Sequence, residues 1–279
     1  MDYSHLVNQQ YGRENLGEKI LAALQQAGKD VNALSRADLS TFDEFHVGGV
    51  MQTRSLAKEA QLQPGMHVLD IGSGLGGPAR TLAAEFGCRV TGLDLTEEFC
   101  HAAELLTRRV GLSDQVTFKH GSALDVPFED NTFDAVWTQF AAMNIGDKEQ
   151  LYSECRRVLR PGGLLALHEV MQGETTDLHY PVFWADDESL NFLRSPQEIR
   201  QLLVDKGFAE RTWNDLTQQS FEWFQAMTAT RQKEQGTPPL GFNVFVGDGV
   251  PQKAANVVRN LEEKRITVIQ AVLQLDKPN

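Results

Sequence analysis

The chain has 279 residues, 41% of them hydrophobic, enough apolar material for one sizeable core with attachments. Its 38 acidic against 26 basic side chains give a formal net charge of −12, a surface that repels phosphate backbones and argues against nucleic acid as a partner. Cys88, Cys100 and Cys155 are spaced too irregularly for a zinc site or a redox dithiol. No signal-peptide pattern opens the chain, and no apolar run approaches the ~18 residues of a membrane span, so the expectation is a cytoplasmic protein off the membrane.

In chain order, the first sixty or so residues read as helical. Asn15-Leu16-Gly17-Glu18 has the form of a capping box, and Leu16, Ile20, Leu24 and Ala27 follow at helical spacing up to Gly28. A second helix is predicted from about Val50 to Ala60, and Pro64-Gly65 makes a turn. From Met66 the rhythm becomes strand, loop, helix. Strands are predicted at His67–Ile71, Arg89–Asp94, Val116–Phe118, Phe133–Trp137 and Leu164–Val170, the last entered through a tight Arg160-Pro161-Gly162-Gly163 turn. Pro78 opens one helix, Thr96 is placed to cap another, and a third is expected near Lys148–Leu159.

The stretch Met171–Arg194 reads as a loop. Ser195-Pro196-Gln197-Glu198 is a capping box for a helix ending near Gly207. A helix from about Gln218, a break at Pro238-Pro239, a helix at Gln252–Glu263 and a strand at Ile266–Leu273 complete the chain. Strands alternating with helices imply an α/β fold with a doubly wound, mostly parallel sheet. The expected division is an N-terminal helical lid, residues 1–62, and a catalytic domain, 63–279, with insertions at about 171–195 and 217–263.

Gly72-Ser73-Gly74-Leu75-Gly76-Gly77 fits G-x-G-x-x-G, in which glycines let backbone approach a ligand at a helix N-terminus. Asp94 lies 22 residues beyond Gly72, at a strand end, where a carboxylate can accept both hydroxyls of a ribose. Asp70, just before the loop, suits a ligand with an ammonium and a sulfonium better than a pyrophosphate.

Val68–Gly77 resembles the first motif of class I S-adenosylmethionine-dependent methyltransferases. Gly121-Ser122-Ala123 with Asp125–Phe128, Phe133–Trp137 and Leu159–Gly163 follow in that family's order. Asp43–Thr53 and Trp137-Thr138-Gln139 are similar to the bacterial sarcosine/dimethylglycine N-methyltransferase branch. The resemblance implies a seven-stranded Rossmann-like sheet and S-adenosyl-L-methionine as cofactor. It places Gly72, Ser73, Gly74, Asp94, Leu95, Ser122, Ala123, Leu124 and Gln139 around that cofactor, with His46, Gly48 and Gly49 closing over it. Ser122 stands where many relatives carry aspartate. Phe140-Ala141 and Met143-Asn144 replace the branch's Asp-Ala and Leu-His, so the amino-acid substrate does not carry over.

Methyl transfer from a sulfonium needs alignment more than a strong base, and no cluster of His, Cys and carboxylates has metal-ligand spacing. The expected reaction is methylation of a small-molecule acceptor, an amine by the closer resemblance, with O- or C-methylation as the alternative. Phe140, Asn144, Tyr180 and Trp184 are the candidate substrate pocket, the two aromatic rings facing an emerging cation. His168, Glu169, Asn144 and His179 are the candidate acid–base or positioning groups. Simple packing competes as a reading of Tyr180, Trp184 and His168. A nicotinamide enzyme and a catalytically silent cofactor-binding module are the competing functions. The oligomeric state is open, a homodimer being one option.

Overall fold

The computed structural model describes residues 11, 15–233 and 249–277. The predicted break at Pro238-Pro239 and the first ten residues lie outside them. Among the described residues, from Asn15 on, three helices come first: α1 (Leu16–Gln26), the short α2 (Arg36–Leu39) and α3 (Gly49–Glu59). The alternating region is β1 (His67–Ile71), α4 (Gly77–Phe86), β2 (Arg89–Asp94), α5 (Glu97–Arg109), β3 (Val116–His120), β4 (Phe133–Gln139), α6 (Lys148–Val158) and β5 (Leu159–Gln172). After an irregular stretch come α7 (Pro196–Asp205), β6 (Phe208–Asp215), α8 (Thr217–Lys233), α9 (Val250–Glu262) and β7 (Ile266–Leu275).

The strands form one seven-stranded sheet in the order β3-β2-β1-β4-β5-β7-β6. β1 pairs in parallel with both β2 and β4, and β7 runs antiparallel between β5 and β6. Side-chain alternation explains the layering. Leu69, Ile71, Val136, Leu165 and Leu167 enter one core with Leu151 of α6 and Ile199 of α7. Their neighbours Val68, Ala135, Trp137 and Ala166 enter a second core with Leu56 of α3 and Leu82 of α4. Both faces are buried, as a sheet with crossover helices on each side requires.

Four local expectations are corrected. Asn15 adopts a left-handed backbone, φ 56°, and makes no side-chain cap bond; burial of Leu16, Ile20 and Leu24 against α5 holds α1 instead. Thr96 sits at the cap position of α5 without a cap bond, and its N–H donates to the Asp94 carboxylate at 2.9 Å. Arg160–Gly163 is absorbed into β5 as a bulge: Phe133 pairs with Leu159 and Ala135 with Leu164, so the surplus residues loop out. Met171 and Gln172 extend β5 opposite Thr267 and Ile266. The strand that sequence reading did not name is β6. It is a sheet edge with mostly exposed side chains, and Phe208-Ala209-Glu210-Arg211 lacks apolar alternation.

The switch in strand order falls between β1 and β4. In open α/β sheets a crevice forms there, beyond the carboxyl ends of the strands.

Candidate active site

A cavity of about 180 Å³ occupies that crevice. Its sheet-side wall is the loops after four strands: Gly72, Ser73 and Gly74 after β1, Leu95 and Thr96 after β2, Ser122, Ala123 and Leu124 after β3, and Phe140 and Asn144 after β4. Gly72 and Gly74 take positive φ, 72° and 50°, which only glycine adopts cheaply. A Cβ on Gly74 would meet no atom within 4 Å, so this backbone borders open space.

Asp94 anchors the loop. Its carboxylate accepts the N–H of Gly74 at 2.8 Å and of Thr96 at 2.9 Å. Those bonds use one lone pair on each oxygen, and a carboxylate has about four sites, so each oxygen retains capacity for a ligand hydroxyl. Burial raises the Asp94 pKa, and the Thr96 and Gly74 amides oppose that rise. Asp70 is buried beneath the loop and is not part of the cavity wall. Burial pushes its carboxyl well above the usual range, and the charges of Glu44 and Asp94 push the same way. Its Oδ2 has no hydrogen-bond partner, and neither have Ser73 Oγ and Gln139 Nε2. Gln139 Oε1 is already taken by the Trp137 indole at 2.8 Å and the Thr53 hydroxyl at 3.1 Å, which turns the amide nitrogen into the unsatisfied end.

The N-terminal segment supplies the facing wall through Asp43, Phe45, His46 and Val47. Gly48 and Gly49 are not in it; they form the start of α3, where Gly48 takes φ 80°. The segment is held by buried polar contacts. Arg80 of α4 binds Asp43 at 2.7 Å, the Leu75 carbonyl at 2.7 Å and Thr107 at 2.9 Å. Glu44 lies 3.0 Å from His46 Nε2 and accepts from Thr53 and Thr81, each at 2.7 Å.

The substrate-side candidates separate. Phe140, Asn144 and Trp184 line the cavity, and Tyr180 does not. Phe140 holds φ 51°, an uncommon backbone for a bulky residue, while its N–H donates to the His168 carbonyl at 2.9 Å. Asn144 donates to the Trp184 and Leu190 carbonyls, both at 2.8 Å, and accepts from the Tyr11 hydroxyl at 3.0 Å. The base candidates stand off the wall. His168 is buried between His46 and Phe140, with ring centroids 5.7 and 5.0 Å away. Burial, with the neighbouring His46, lowers its pKa well below the imidazole range, so it is neutral. Glu169 accepts the N–H groups of Ala141 and Ala142 and braces the loop behind Phe140. His179 pairs with Glu263 at 2.9 Å, between the irregular stretch and the end of α9. Sequence reading missed Tyr11, Phe45, Trp223 and Phe224 of this wall; the adjacent Trp223-Phe224 pair was the available signal.

Residues 69–167 match the family described as a methyltransferase domain. A sterol 24-C-methyltransferase of Gibberella zeae is 41% identical over 122 residues, 44% of this chain and 32% of that protein. The sarcosine/dimethylglycine N-methyltransferase of Halorhodospira halochloris is 35% identical over 161 residues, 57% of each. The match thus spans less than two thirds of either relative's own length. Among solved structures, the geranyl diphosphate C-methyltransferase of Streptomyces coelicolor A3(2), in complex with S-adenosyl-L-homocysteine, superposes with TM-score 0.69 over 98% of each chain at 17% identity, a likeness of fold. Residues 69–167 are thus similar to a methyltransferase domain, and they contribute β1 to β5 of a sheet with the Rossmann-like strand order.

Proposed function

We propose that the protein is an S-adenosyl-L-methionine-dependent methyltransferase acting on a small molecule. The observation that carries it is the Asp94 carboxylate, bonded to Gly74 N–H at 2.8 Å at the switch of strand order, inside the methyltransferase-domain match. The chain's groups fit the cofactor. Asp94 offers acceptors to ribose hydroxyls, and Ser122, Ala123 and Leu124 border the place for a purine. Gln139 Nε2 offers an unused donor for a carboxylate, with Ser73 Oγ on the same wall.

When bound, the cofactor supplies a methyl group on a sulfonium; the acceptor's electron pair forms the new bond while sulfur keeps the pair of the broken one. A positively charged leaving group needs no Lewis acid, so no metal is assigned a role. The protein's own part is alignment and exclusion of water, which can be worth several kcal/mol. The segment around Asp43–Val47 acts as a cover over the site, and His46 closes the cofactor side. Phe140 and Trp184 bound the acceptor side. Calorimetry with S-adenosyl-L-homocysteine tests the reading: binding in the micromolar range is expected, and none at millimolar concentration would refute it.

A further inference from the structure

The cavity has two chemically different halves, and the second specifies the acceptor; this inference rests on the methyltransferase reading. Beyond Gln139 the wall turns apolar. Phe45, Phe140, Phe183, Trp184, Trp223 and Phe224 surround it. Met143, Val170, Leu261 and Val268 fill the gaps between them. Phe183 stacks on Phe224 with centroids 6.2 Å apart and planes at 13°, and Phe45 meets Phe183 edge-on at 6.3 Å.

The polar groups around this half are committed to the protein. The Tyr11 hydroxyl donates to Asn144, and the Asn144 amide donates to two carbonyls. The Trp184 indole N–H turns away to Asn191 Oδ1 at 2.9 Å and leaves its ring to the cavity. His46 Nδ1 is 3.2 Å from the Val47 carbonyl, and its Nε2 faces Glu44. Among the described residues no lysine or arginine lines the cavity. Its two carboxylates already serve Arg80 and the Gly74 and Thr96 amides. A carboxylate or phosphate on the acceptor would meet no lysine or arginine among the described wall residues and would lose its hydration. Hydrocarbon entering the same space gains on leaving water and packs against ring faces.

We propose that the methyl acceptor is an uncharged, hydrocarbon-rich molecule of isoprenoid-like character, not an amino acid or a phosphorylated amine. The test titrates intrinsic tryptophan fluorescence of the full chain, saturated with S-adenosyl-L-homocysteine, with farnesol, N,N-dimethylglycine and phosphoethanolamine. Farnesol should give a saturable change in the micromolar range, and the two polar probes none at millimolar concentration. Trp223→Arg, at a half-buried position on the wall, should weaken farnesol about tenfold or more and leave calorimetric binding of S-adenosyl-L-homocysteine unchanged. Phe183→Arg, on the irregular stretch and outside the N-terminal segment, gives the same reading should Trp223→Arg not fold. No saturable response to farnesol, saturation by either polar probe, or farnesol affinity untouched in a folded variant would overturn the proposal. Failure of S-adenosyl-L-homocysteine to bind sinks the methyltransferase reading and with it the term acceptor; farnesol titration of the unliganded chain then decides separately whether the apolar half takes a hydrocarbon ligand.

Discussion

The Glu169 carboxylate accepts the backbone N–H of Ala142 at 3.1 Å, and so ties β5 to the loop that carries Phe140 and Asn144. From the other side Lys148 Nζ donates to the carbonyls of Ala142 and Phe192, each at 2.8 Å, and to that of Ile145. A buried carboxyl and a buried ammonium thus fix a loop whose backbone at Phe140 is in an uncommon conformation.

Glu169 makes stability depend on pH. Burial pushes its carboxyl up to about 7 from 4.5, against bonds from Thr138, Ala141 and Ala142 and the charge of Lys148. The native state therefore holds this proton more tightly than the unfolded chain. The stabilisation is full below pH 4.5 and is lost as pH rises through about 7, roughly 3 kcal/mol in all. Glu169→Gln keeps an acceptor oxygen and removes the titration. Urea denaturation of both proteins at about pH 5 and pH 8 should show the wild type losing roughly 2–3 kcal/mol more than the variant over that interval. Parallel losses would show that Glu169 does not titrate there.

Asp94→Ala should weaken S-adenosyl-L-homocysteine by roughly 1.5–3 kcal/mol, the range for lost hydrogen bonds to a charged group. Calorimetry reads the affinity, and far-UV circular dichroism controls for the loss of the Gly74 and Thr96 anchors. A folded variant with wild-type affinity would remove Asp94 from the cofactor site.

Gly77 is the point where α4 meets the N-terminal segment. A Cβ there would lie 2.2 Å from the Asp43 carbonyl oxygen. Gly77→Ala must therefore push Asp43 outward and stretch its 2.7 Å pair with Arg80, both side chains being buried. Overpacking of this kind costs typically 1–3 kcal/mol, and a weakened buried ion pair adds to it. The expected result is a lower urea midpoint with an unchanged slope. A change below about 0.5 kcal/mol would mean the segment moves aside freely.

Legibility followed the range of the interactions. The Gly72–Gly74 turn and Asp94 could be read because positive φ, a strand end and a fixed spacing are local properties. The capping box at Ser195 was equally local, and Ser195 and Glu198 make it as expected. β6 was not legible, since an exposed edge strand has no apolar alternation to betray it. Nor was the role of Glu169, because a carboxyl on a buried strand reads the same whether it meets a substrate or the amides of Ala141 and Ala142. Arg80 and Asp43 are 37 residues apart in sequence, and only the packing of α4 against the N-terminal segment brings them together. Asn15 failed for the opposite reason: its local pattern was right for a cap, but the burial of α1 on α5 determined the entry angle.

Asp43, Phe45, His46 and Val47 form cavity wall, so their movement widens the way in and out for a ligand. Besides the Arg80–Asp43 pair, Glu44 holds them, through His46 Nε2 at 3.0 Å and the Thr53 and Thr81 hydroxyls at 2.7 Å. Burial alone would raise the Glu44 pKa, but the bonds from His46, Thr53 and Thr81 outweigh it and hold the value below 4.5. The anchor therefore contributes fully above pH 4.5 and fails as pH falls through the depressed value. At neutral pH the closed arrangement dominates, and opening is a local event. Hydrogen exchange over residues 40–53 should slow when S-adenosyl-L-homocysteine is added. Thr81→Val, which removes one donor to Glu44 while keeping the side chain's shape, should speed exchange in the unliganded protein, with little change in β1 or β4. A fixed cap behaves differently: protection over 40–53 would be the same with and without ligand, and that result would end the idea of a lid.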